Sequence, residues 1–291
     1  MIWPLLLSGV LLGILLVLLL RRSALTAPAP TAEPTPSPVP PVPGAAPTLC
    51  PDAEVAGCVE AFFAREPGRW SICWQTLPEG EQGFRATDRN PMVSASLIKL
   101  FVMGAVYEQI ESGELSREAV YARVRSMITV SDNRATNELI CLLGGGDETA
   151  GFAAVNDWCF REGYLETRLN RLMLAENGLQ NYTAAQDCAA LLASVYRGEC
   201  VSPAASGEML ELLLDQEVND RLPALLPTGT RLAHKTGDLP GLSCGDVGIV
   251  FSPGGDYVLC VIGNDFPDDL AARDAIAALS AEIYTIKNPQ T

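Results

Sequence analysis

Apolar residues first run unbroken along this chain and then recur at helical or alternating spacing. Ile2 to Leu20 are nineteen uncharged, mostly aliphatic positions. As a helix they would span about 28 Å, close to the hydrocarbon thickness of a bilayer. Residues 1–22 are therefore expected to form a transmembrane anchor or signal segment. Thr26 to Pro47 is rich in Pro, Ala and Thr. Proline cannot donate a backbone hydrogen bond, so residues 23–49 are expected to form a polyproline-like linker. From Cys50 the pattern becomes globular. It predicts a helix over Asp52 to Arg65, a strand over Trp70 to Thr76 and a helix over Ser96 to Ser112 closing at Gly113. Helical segments are predicted on to about Tyr196, broken at Gly144-Gly145-Gly146. Three strands follow, over Arg231 to Thr236, Asp246 to Phe251 and Tyr257 to Ile262. The last two are joined by the hairpin signal Ser252-Pro253-Gly254-Gly255-Asp256. Pro267 to Ile286 reads as a closing helix.

This order predicts a mixed α/β (α+β) domain over residues 50–291. An antiparallel β-sheet is flanked by helices, with a mainly helical subdomain and with the first and last helices in one layer.

Charge removes one class of function. The 291 residues carry 20 Lys+Arg against 35 Asp+Glu, a net charge of −15. With no basic cluster to displace phosphate counterions, nucleic acid is not an expected partner. Nine cysteines are scattered without CxxC spacing, and His234 is the one histidine. No metal and no cofactor are expected. Disulfides suit an extracytoplasmic domain, but their pairing is not legible.

Three short motifs carry the chemistry. Ser96-Leu97-Ile98-Lys99 opens a predicted helix, so the serine and lysine share a face one turn apart. A neutral lysine amine there can accept the serine proton. Ser131-Asp132-Asn133 precedes another helical run, where such residues also serve as caps. Lys235-Thr236-Gly237 ends a predicted strand. It brings a cation, a hydroxyl and a bare backbone to one edge, the parts needed to hold a carboxylate and let a substrate lie alongside. Each motif is weak alone. Together they follow a fixed order, 35 and 104 residues apart.

The set and its contexts resemble class A β-lactamases and their penicillin-binding relatives, over about residues 52 to 286. The resemblance implies a β-lactamase/transpeptidase-like fold and a serine acyl-enzyme hydrolase. By that resemblance Ser96 is the nucleophile, Lys99 helps to remove its proton and Ser131 relays a proton to the leaving nitrogen. Asn133 would bind the substrate's side-chain amide, while Lys235 and Thr236 would bind its carboxylate. The backbone N–H groups of Ser96 and Asp238, beside Gly237, would form the oxyanion hole. The implied partner is a β-lactam or a cell-wall peptide, and a monomer is expected. With the apolar run as a single-pass anchor, the resemblance implies a catalytic domain outside the cytoplasm, or secreted if that segment is cleaved. Arg21 and Arg22, after the apolar run, point the other way by the positive-inside rule.

Two features depart from the class A pattern. Those enzymes activate the deacylating water with the glutamate of Arg-x-Glu-x-x-x-Asn. Here Arg171 and Asn177 fit, but Met173 fills the glutamate's slot and Glu176 is the nearest carboxylate. Moreover, Asp238 to Leu270 contains no Lys or Arg, whereas Asp238 and Asp246 suggest an acidic rim that repels anionic substrates. Three readings stay open: a β-lactamase-type hydrolase with slow deacylation, a penicillin-binding D,D-peptidase, and a tethered module acylated once by β-lactams.

Overall fold

The computed structural model describes residues 51–289. The predicted anchor and linker, with Cys50, lie outside them. Among the described residues no helix is long and apolar enough to cross a membrane.

Helix α1 (Pro51–Arg65) leads into strands β1 (Arg69–Thr76) and β2 (Gln82–Ala86). The short strand β3 (Met92–Val93) and a 3-10 turn over Ala95–Ile98 follow. Four helices come next: α2 (Lys99–Glu111), α3 (Arg117–Thr129), α4 (Asn133–Leu143) and α5 (Glu148–Arg161). After a long loop come strand β4 (Tyr182–Thr183) and helices α6 (Ala185–Arg197) and α7 (Pro203–Leu214). Strands β5 (Arg231–Leu239), β6 (Ser243–Phe251) and β7 (Tyr257–Asn264), then α8 (Asp269–Lys287), complete the domain. The main sheet is five-stranded, ordered β2-β1-β7-β6-β5, and each of its pairings is antiparallel.

Both faces of this sheet are covered, and the alternation of side chains along each strand explains how. Tyr257, Leu259 and Val261 of β7 join Val55, Val59 and Phe62 of α1 and Ile276, Leu279 and Ile283 of α8 in one core. Val258, Cys260 and Ile262 face the opposite core, with Phe101 of α2, Leu139 of α4 and Leu192 of α6. The first and last helices therefore share one layer, as the element order implied. The helical subdomain covers the other face.

Strands β2, β3 and β4 are not marked by the apolar pattern, and pattern and structure differ in three further places. The helix expected from Ser96 begins as the 3-10 turn and becomes α-helical at Lys99. The helical run expected up to Tyr196 is interrupted over 162–184. There Gly163 adopts φ +86° and side-chain amides, rather than a helix ladder, satisfy the backbone. Helix α7, with Ser202 as its N-cap and Pro203 in its first turn, was not marked by the apolar pattern. Eight cysteines among the described residues are free thiols, six of them buried. The six buried ones pack in the two cores as small apolar side chains.

Candidate active site

The 3-10 turn carries Ser96 against strand β5, and a glycine permits the contact. A Cβ on Gly237 would lie 2.8 Å from Leu97 Cγ and 3.0 Å from the Ser94 carbonyl. Ser96 thus stands half-buried at the wall of a narrow cleft that it shares with Asn133, Met173, Asn181 and Asp238. Lys99, in the first turn of α2, is fully buried.

Three oxygens surround the Lys99 ammonium: Ser131 O at 2.6 Å, Asn133 Oδ1 at 2.7 Å and Ser131 Oγ at 3.0 Å. Burial pushes Lys99 down to about 7, and the nearby Asp132 carboxylate opposes the change. Asp132 also caps α4, accepting from Ala135 N at 3.0 Å. Ser131 itself sits at φ +58°, a left-handed conformation held between the end of α3 and the start of α4.

Lys235 approaches Ser131 from the sheet. It donates to Ser131 Oγ at 3.0 Å and to Thr236 O at 2.8 Å. Burial first, and the Lys99 charge second, hold Lys235 well below the usual lysine range. Alternation along β5 explains why it points this way. Ala233, with the same parity as Lys235, faces the helical core, whereas Leu232 faces the α1/α8 core. Thr236 and Asp238 share the parity of Leu232.

The structure therefore gathers Ser96, Asn133 and Asp238 around one cleft, with Lys99, Ser131 and Lys235 in one hydrogen-bonded network. Such a network can move a proton away from a hydroxyl and deliver one to a leaving group. Among the described residues no group of three or more His, Cys, Asp and Glu is placed to hold a metal ion.

The family described as the beta-lactamase enzyme family matches residues 55–124 and 122–286, nearly the whole described domain. The chain belongs to that family. A β-lactamase from Sphaerobacter thermophilus is 27% identical over 82% of this chain and 98% of its own, with a TM-score of 0.70. PBP-A with a leucine-to-glutamate substitution, solved as an acyl-enzyme complex with penicillin G, is 25% identical. That alignment covers 80% of this chain and 96% of the other, with a TM-score of 0.71. A Xanthomonas campestris β-lactamase, 21% identical over 82% of this chain and 99% of its own, shares the fold at a TM-score of 0.72. No curated protein matches the chain.

The loop that departs from the class A pattern is tied down by its own amides. Arg168 and Tyr182 close its base, exchanging backbone bonds of 3.0 Å in both directions. Asn181 Oδ1 accepts from Asn170 N at 2.7 Å and Arg171 N at 3.0 Å. The Met173 backbone is clasped by Asn137, whose Oδ1 accepts from Met173 N at 2.8 Å and whose Nδ2 donates to Met173 O at 3.2 Å. Met173 lines the cleft beside Ser96. Glu176 and Asn177 are exposed and do not line it. The Arg171 guanidinium turns to Ala175 O and Gln180 rather than to Asn177. The loop thus separates its two sequence-marked polar residues from the serine.

The acidic rim needs correction. Asp246 is buried against His234, with Nδ1 to Oδ1 at 2.9 Å, and also accepts from Leu222 N at 3.1 Å. Asp238 is held by Arg221 and by Arg273 Nη2, the latter at 3.2 Å. Neither acid is a bare charge. The balancing cations lie outside the segment read for them, 17 residues before and 35 after Asp238. Packing of α8 on the sheet brings Arg273 to Asp238, and the segment between α7 and β5 brings Arg221.

Proposed function

We propose that this chain opens β-lactam amides through an acyl-enzyme on Ser96 and releases the product slowly. The observation that carries this reading is the convergence of Lys99 and Lys235 on Ser131 Oγ, each at 3.0 Å, beside the Ser96 cleft. With Lys99 near neutrality, its amine takes the Ser96 proton as Ser96 Oγ attacks the carbonyl. Ser131 hands its proton to the departing nitrogen and takes one back from Lys99 along their 3.0 Å hydrogen bond, with Lys235 stabilising the serine oxygen meanwhile. The backbone N–H groups of Ser96 and Asp238 receive the oxyanion, and Asn133 contacts the acyl side chain. Slow release follows from Met173, because a thioether at the cleft wall cannot take a proton from water. A D,D-peptidase acting on cell-wall peptides is the second reading. It is favoured by the same methionine and by the similarity to PBP-A.

Intact-mass measurement after mixing with penicillin G tests the proposal. A persistent adduct of one penicillin per chain should appear, map to Ser96 and vanish in Ser96→Ala. An adduct on another residue, or one that survives in Ser96→Ala, overturns it.

A further inference from the structure

Behind Asp238, which lines the Ser96 cleft, lies a buried arginine. Arg221 is 0% exposed, and its Nη2 donates to both carboxylate oxygens of Asp238, which is 34% exposed. Arg273, on α8, reaches the same carboxylate at 3.2 Å. Asp220 completes the cluster, 3.3 Å from Arg221 Nη1 and 3.5 Å from Arg273 Nη1. Two positive and two negative charges cancel. Even so, Arg221 Nε and Nη1 and Arg273 Nε have no hydrogen-bond partner among the described residues. These guanidinium groups hold more donor capacity than their acids use.

Placement gives the cluster a bearing on substrate choice. Asp238 lines the same cleft as Ser96. It stands two residues after Thr236, on the same face of β5. A substrate carboxylate resting at Thr236 would meet the Asp238 carboxylate, already seated on the arginine pair.

We infer that Asp238 is a specificity-determining residue: its carboxylate occupies Arg221 and Arg273 in place of a substrate carboxylate, turning the site toward acyl donors that are uncharged on the leaving-group side. Among β-lactams and peptides alike, those esterified or amidated at that carboxylate would acylate Ser96 in preference to the free carboxylates. This rests on the Ser96 acyl-enzyme reading and specifies its substrate class.

The test compares acylation of Ser96 by penicillin G and by its uncharged methyl ester, in the natural chain and in Asp238→Ala and Asp238→Asn. Removing the acid uncovers the arginines, so the rate ratio of penicillin to ester should rise about tenfold or more in Asp238→Ala. The rise should be smaller in Asp238→Asn, whose amide still covers Arg221. Adding Arg273→Ala to Asp238→Ala should reverse much of the gain. If Asp238→Ala does not fold, the same measurement on Asp238→Asn decides. An unchanged or lower ratio, with both compounds still modifying Ser96, overturns the role of Asp238 alone. If neither compound modifies Ser96 in any of these proteins, the acyl-enzyme reading falls and takes this inference with it.

Discussion

Lys99 from helix α2 and Lys235 from strand β5 donate to the same oxygen, Ser131 Oγ, each at 3.0 Å. Two buried ammonium groups this close repel one another, and burial penalises each charge. The arrangement is tolerable when one of them gives up its proton. Lys99 is lowered to about 7, so proton transfer at this site is matched to neutral pH.

The first prediction is a pH profile. Neutral Lys99 is the base, and its fraction grows as pH rises through about 7. Acylation of Ser96 should therefore climb about tenfold per unit below that pH and level off above it. Stability should move in the same direction. The folded state binds fewer protons at Lys99 than the unfolded chain does, so this contribution strengthens as pH rises from about 7 toward the ordinary lysine value. Stopped-flow acylation from pH 5.5 to 9 reads the profile. A flat curve there would remove Lys99 from the base role.

The two lysines should fail differently. Lys99→Ala removes the proton acceptor, so acylation should fall by about 100- to 10,000-fold for charged and uncharged substrates alike. Lys235→Ala should fall less for an uncharged ester than for penicillin, because it also removes a cation from the carboxylate's side. Second-order acylation constants for the two variants, taken with both substrates, make the comparison. Equal losses in all four measurements contradict the assignment.

Turnover should respond to Met173 and not to Glu176. Met173 lines the cleft and its backbone is clasped by Asn137, so Met173→Glu places a carboxylate near the acyl bond. Decay of the penicillin adduct should quicken by about tenfold, short of a full gain because a 1 Å misplacement can cost a hundredfold. Glu176→Gln should leave the decay unchanged, since that side chain is exposed and outside the cleft. Rapid turnover by the natural sequence that collapses in Glu176→Gln would reverse this reading of the loop.

Location is the fourth prediction. The proposed substrates lie outside the cytoplasmic membrane, and Ile2 to Leu20 is apolar enough in sequence to anchor the chain there. Protease added to cells with permeabilised walls should release a fragment of about 240 residues, the domain size read from composition. Protection until lysis would support the orientation that Arg21 and Arg22 suggest.

Local pattern determined much of this protein. The apolar spacing of α1, β1, β6, β7 and α8 is a backbone preference written in neighbouring residues, and so is the hairpin between β6 and β7. The three motifs were also legible, because Ser96 with Lys99, Ser131 with Asn133, and Lys235 with Thr236 each lie within one turn or one strand. What sequence alone left open depends on contacts between distant segments. No local pattern says that Lys99 and Lys235 share Ser131 Oγ, or that Gly237 is small so that Leu97 can pack against β5. The acidic rim misled for the same reason. Asp238 finds Arg273 only when α8 folds back on the sheet and Arg221 only when the segment between α7 and β5 packs behind it, and Asp246 finds His234 only across the β5–β6 pairing. The loop holding Met173 follows the same rule. Its shape comes from hydrogen bonds to the side-chain amides of Asn137 and Asn181, and side-chain amides far apart in sequence leave no periodic trace. Charges and amides act through space over a few ångströms, so their effect on this site was decided by the tertiary fold.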